Sequence, residues 1–157
     1  MTFTARPIAP FKVDILAGSN PSSYTAGTQI PCSGTPSNTT ATVSSGQITL
    51  PAGSHWRIEY SPAFSSTDTS QAYVKYEIGL YSVTDSQYIG QSLFASSDAA
   101  GFDPNKAGRC VATALILNSE ITTSMSIEAR IVSQTNMTGA TLNISGTSTF
   151  RIMELPA

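Results

Sequence analysis

The chain has a single histidine, His55, so any Ser-His-Asp or Cys-His arrangement would have to be built on it. His55 is spaced by two from Arg57, which is spaced by two from Glu59. Residues two apart on a strand share a face, so the three read as a charged ladder. Zinc needs three or four His, Cys or carboxylate ligands. One histidine and two widely separated cysteines, Cys32 and Cys110, do not supply them. Two carboxylates held roughly 5 to 10 Å apart can hydrolyse a glycosidic bond. The candidate pairs are Glu59 with Glu77 and Glu120 with Glu128, and both read as solvated strand faces or strand edges. The stretch Ser96–Asn105 carries Asp98, Asp103 and Asn105 around Gly101. Oxygen ligands on a loop can take calcium, but this spacing does not match a calcium loop. No glycine-rich phosphate loop is present. The expectation is a protein that is not an enzyme, with no catalytic residue, no metal site and no cofactor.

Asn-x-Ser/Thr sites fall at Asn38, Asn136 and Asn143. Serine and threonine total 43 of 157 residues, so chance accounts for several such sites and they are taken as unused. Trp56, Tyr73, Tyr81 and Tyr88 could stack on a sugar, but such rings more often fill a core or a subunit interface. Tyr73 and Tyr81 fall opposite Val74 and Ile78 on one strand, which suggests cover on both sides. They are therefore expected at an oligomer interface.

The elements that must hold these residues read as strands. Trp56, Ile58 and Tyr60 alternate with His55, Arg57 and Glu59; Met125, Ile127, Ala129 and Ile131 alternate with Ser126, Glu128, Arg130 and Val132. The same alternation runs through Gln71–Val83 and Ser148–Leu155. Further strands are predicted at Thr39–Ser44, Gln47–Leu50, Gln87–Leu93, Arg109–Leu117 and Ala140–Ser145. Turn formers separate them, among them Ser45-Gly46 and Pro51-Ala52-Gly53. No apolar stripe of helical period with caps occurs. The fold class is all-β, an antiparallel β-sandwich of jelly-roll type. Five of nine prolines lie in the first 36 residues, so residues 1–27 are expected to form an extended N-terminal arm and residues 28–157 the sandwich. Phe3, Ile8, Phe11, Val13, Ile15 and Leu16 give the arm more apolar surface than a free tail would expose.

Composition narrows the class. Charged residues are 11%, the net charge is −2 and the pI is about 5.2, which does not suit a generic nucleic-acid binder. No run of 18 apolar residues is present, so no membrane span is expected. Met1–Ile15 lacks the basic start and apolar stretch of a secretory signal. Cys32 and Cys110 are too few for a disulfide scaffold and read as reduced thiols, with a single bridge between them left open.

The stretch Gln47–Ala63 resembles a recurring element of bacteriophage structural proteins with jelly rolls similar to the C1q and tumour-necrosis-factor fold. Leu50, Pro51, Ala52, Gly53, Trp56, Ile58, Pro62 and Ala63 carry the match, and the likeness extends in outline over residues 38–155. The aromatic-Arg and Leu-Asn-Thr opening of many fibre domains is absent, and the chain begins at Met1 with a short arm. The resemblance thus implies a capsid decoration or cement protein on the virion surface, assembled in the host bacterial cytoplasm. It implies the major capsid protein as partner, the arm residues as the capsid-binding element, and a homo-oligomer, a trimer before a dimer. The alternative is a tail or head fibre tip, a receptor-binding protein that contacts host glycans. Neither nucleic acid nor membrane is an expected partner.

Overall fold

A computed structural model describes residues 11–22, 25–66, 73–97, 111–137, 142–144 and 147–157. Its strands are β1 (Lys12–Gly18), β2 (Gln29–Ile30), β3 (Cys32–Ser33), β4 (Thr42–Ser44), β5 (Gln47–Pro51), β6 (Ser54–Ser61), β7 (Phe64–Ser66), β8 (Tyr73–Ser82), β9 (Gln87–Ser97), β10 (Ala112–Ile116), β11 (Ser124–Met137), β12 (Leu142–Ile144) and β13 (Thr149–Pro156). The one helical piece among the described residues is a 3₁₀ turn at Asn118–Glu120.

The strands form two antiparallel layers, as the alternation predicts. The first sheet runs β3-β1-β13-β6-β10 and the second β9-β8-β11-β5-β4, with β2 also on β11. They meet at one seam, where among the described residues β10 pairs with β9 only through Thr113↔Gln91. A separate pair, β7 with β12, stands outside both layers. The local chemistry explains the hairpins. Ser45 and Gly46 both have positive φ, 52° and 77°, the two-residue hairpin turn whose twist suits flanking strands. A side chain at position 46 would also press on the Pro31 ring, 2.8 Å from an added Cβ. The Pro51-Ala52-Gly53 turn joins β5 to β6. There the Trp56 indole N–H donates to the Pro51 carbonyl at 3.1 Å.

One core lies between the layers. Trp56, Ile58, Tyr60, Phe150 and Ile152 enter it from the first sheet, and Ile48, Leu50, Ile78, Leu80, Ile127 and Ile131 from the second. Each fully buried large side chain contributes roughly 1.5–3 kcal/mol. Cys32 also lies in this core, and burial pushes its thiol up to about 12. It is a free thiol; Cys110 lies outside the described residues.

The expected arm is built differently from its description as an extension. Residues 12–17 pair with β13 from Lys12↔Glu154 to Ala17↔Thr149, so β1 is a strand of the first sheet. Leu16 is 8% exposed and belongs to the core. Asp14 beside it is also buried, because its carboxylate accepts the backbone N–H groups of Ser37, Asn38 and Thr39 at 3.0, 3.1 and 2.7 Å. Phe3 and Ile8 lie outside the described residues.

Candidate interaction face

The outward surface of the first sheet is a grid fixed by strand register. One row reads Ile15, Arg151, Glu59, Thr113 and the next Val13, Met153, Arg57, Leu115, across β1, β13, β6 and β10. Above and below them run Ala17, Thr149 and Ser61, and Leu155 with His55. The centre is charged: Arg57 Nη2 lies 2.6 Å and Arg151 Nη1 3.6 Å from the Glu59 carboxylate. Two guanidiniums share one carboxylate, so the centre holds one excess positive charge. Around it stand apolar side chains in water. Ile15 and Leu115 are each 62% exposed and Phe11 64%, with Val111 and Leu117 exposed beside them. A cavity of about 420 Å³ opens here, lined by Ile15, Glu59, Ser61, Val111, Thr149 and Arg151.

His55 stands on the same face, as its spacing implies. Its Nδ1 accepts the backbone N–H of Asn118 at 3.0 Å, and the Asn118 side-chain oxygen accepts the Gly53 N–H at 2.7 Å. The imidazole therefore positions the 3₁₀ turn.

The edge of this sheet is held by two carboxylates. Burial alone would raise the Asp14 pKa, but the N–H groups of Ser37, Thr39 and Asn38 outweigh it and hold the carboxyl well below the usual range. Burial likewise opposes, and the Thr40 and Ser54 donors overcome, a lowered Glu154. Glu154 accepts the Thr40 N–H at 2.8 Å and the Ser54 hydroxyl at 3.0 Å, with Lys12 at 3.5 Å. Loop residues 37–40 are thereby tied to β1 and β13. Asn38, one of the three Asn-x-Ser/Thr sites, spends its Nδ2 on the Val13 carbonyl and Asp14.

The second sheet's outward surface is organised around Glu128, which is 3% exposed. It accepts from Arg130 Nε and from Gln47 Nε2. The Arg130 guanidinium lies 3.6 Å from the centroid of the Tyr81 ring, and Tyr88 meets Tyr81 edge-on at 5.1 Å. Burial raises the Tyr88 hydroxyl against the pull of the Arg130 charge. Tyr81, expected at a subunit interface, is thus engaged within its own chain; the Tyr73 side chain lies outside the described residues. Tyr88 stays 43% exposed on this face, while the other large apolar side chains left open among the described residues lie on the other sheet.

The carboxylate pairs are not brought together as pairs. Glu59 is on β6 of the first sheet and Glu77 on β8 of the second, where it accepts the Ser133 hydroxyl. Glu120 accepts the Leu117 N–H and closes its own turn, while Glu128 serves Arg130. Among the described residues no group of three His, Cys, Asp or Glu is placed to hold a metal ion. Asp98, Asp103 and Asn105 lie outside them. No helix among the described residues is long and apolar enough to cross a membrane. The face itself had a signal in the sequence: Val111, Leu115 and Leu117 alternate with Ala112 and Ile116 along β10 and its two flanking residues, so both sides of it are apolar.

With this topology the chain is an all-β antiparallel jelly roll. It is similar to a solved structure described as "Crystal structure of murine APRIL, pH 8.0", with a TM-score of 0.52 and 11% identity over 93% of this chain and 99% of that one. At that identity the likeness concerns the fold. No family model and no curated protein matches the sequence.

Proposed function

We propose that the protein is a structural component of a bacteriophage particle, a capsid decoration or cement protein that binds the major capsid protein as a homo-oligomer. The observation that carries this reading is the open face of the first sheet. Exposed Ile15, Val111, Leu115 and Leu117 around the Arg57–Glu59–Arg151 centre form a surface of the kind that marks a protein contact. The resemblance of Gln47–Ala63 to phage jelly-roll proteins supports the particle context, and a trimer is favoured over a dimer. Phe11, Val13 and Ile15 are the described arm residues with surface to offer a shell; Leu16 is buried in the core. Binding to the shell but not to its unfolded subunits would stabilise the particle by mass action. The protein would sit on the capsid surface after assembly in the bacterial cytoplasm, with no cofactor.

Counting copies per purified particle by quantitative mass spectrometry tests this. Copies on the order of hundreds, following the shell's symmetry, are expected. A handful would move the protein to a fibre tip or receptor-binding role, and none would defeat the virion reading. Deleting residues 1–27 is not a clean test, because it removes β1 and uncovers β13.

A further inference from the structure

We propose that the seam between β9 and β10 is a docking cleft for an extended peptide of a partner protein, one carrying an apolar residue flanked by lysine or arginine. The cleft arises from the backbone. Gly90 in β9 has a φ of 68°, and a Cβ there would lie 2.1 Å from the Thr113 carbonyl oxygen. Only glycine lets β9 touch β10 at this point. The contact also shows that the Thr113 carbonyl faces β9. Backbone groups two residues apart on a strand point the same way, so those of Leu115 face the same side. Leu115 has no ladder partner on β9: among the described residues Thr113↔Gln91 is the one pair between the two strands. Beyond it β9 turns to β8 instead, through Leu80↔Ile89 and Ser82↔Gln87.

The strands therefore diverge around a cavity of about 360 Å³. Ile89, Leu115, Ile116 and Met125 supply its apolar walls, and Asp85 and Glu120 are its charged lining residues. Asp85 accepts the Ser82 hydroxyl through Oδ2, and Glu120 accepts the Leu117 N–H through Oε2. Each keeps a second oxygen without a partner among the described residues, and neither belongs to an ion pair there. An open strand edge takes a strand, an apolar pocket takes one alternate side chain, and two carboxylates select cations beside it. The cleft lies at the seam where the two sheets meet, and its occupancy does not depend on the particle assignment.

The test is an amide NMR titration of the full-length protein with the blocked peptide Thr-Lys-Val-Thr-Val-Lys-Thr. Shifts are expected at Leu115, Leu117 and residues 87–90. Replacing both lysines by glutamate, or N-methylating the central threonine amide, is expected to weaken binding about tenfold or more. The D85N/E120Q double variant keeps the hydrogen-bond acceptors that fold the two turns, and is expected to bind about tenfold more weakly with an unchanged melting temperature. Equal binding of the lysine and glutamate peptides, indifference to N-methylation, shifts centred elsewhere, or no binding at about 1 mM peptide would each overturn the proposal. Concentration-dependent shifts at residues 87–90 without peptide would also overturn it, since the occupant of the cleft would then be a second copy.

Discussion

Both outward faces of the sandwich centre on an arginine–glutamate cluster, and the two clusters are finished in opposite ways. On the second sheet Glu128 has Arg130 and Gln47, Arg130 has the Tyr81 ring, and Tyr88 leans on Tyr81, so the groups cover one another. On the first sheet Glu59 is shared by Arg57 and Arg151, both about half exposed, and the ring around them is Ile15, Leu115 and Val111 in water. The polar groups there satisfy one another, and the Tyr88 ring is left 43% exposed. An apolar ring around one excess positive charge is left incomplete by its own chain. Charge content therefore does not tell the faces apart; the disposition of apolar side chains does.

The largest effect should come from breaking the open face. Replacing Ile15 and Val111 by lysine would bury two unpaired charges in any assembly built on it, which is expected to weaken self-association by more than about a hundredfold. The monomer's stability should move by less than about 0.5 kcal/mol, because both side chains are already exposed. Sedimentation at graded concentrations reads the first, and chemical denaturation the second. Unchanged sedimentation would place the assembly surface elsewhere.

Breaking the closed face should instead damage the fold. Glu128→Ala strands Arg130 and Gln47 in a covered position and is expected to cost about 2–3 kcal/mol in denaturation, with no change in association. A loss below about 0.5 kcal/mol would show that the network is dispensable.

Acid should act more gently, and on the first sheet. Asp14 and Glu154 both have lowered pKa values in the folded chain, so their stabilisation is complete above the ordinary carboxylate range and is lost progressively as pH falls from there through the lowered folded values. Melting temperatures are expected to drop between about pH 5 and pH 2, and Asp14→Asn, costing about 1–2 kcal/mol at neutral pH, should flatten that drop. An equally steep drop in the variant would assign the acid sensitivity to other groups.

Much of this layout is legible in the residues, and the failures are instructive. Trp56, Ile58 and Tyr60, or Met125, Ile127 and Ile131, announce their buried side because one residue type repeats on it. In β1 the pattern is inverted: Asp14 and Leu16 face inward while Val13 and Ile15 face out. No local rule buries an aspartate next to an exposed isoleucine. The reason is a loop more than twenty residues later that surrounds Asp14 with N–H donors. The surroundings of Tyr81 are equally hidden from its own strand, since the arginine that covers its ring comes from another one.

What the sequence determined by itself was the β architecture and its hairpins, because alternation and turn chemistry are properties of neighbouring residues. What only the tertiary structure decided was the place of β1 in the sheet, which face was left open, and where β9 parts from β10. Those depend on partners far away along the chain, such as Thr40 and Glu154, 114 residues apart. Such pairings leave no periodic mark, because each is a single contact whose energy is set by what surrounds it.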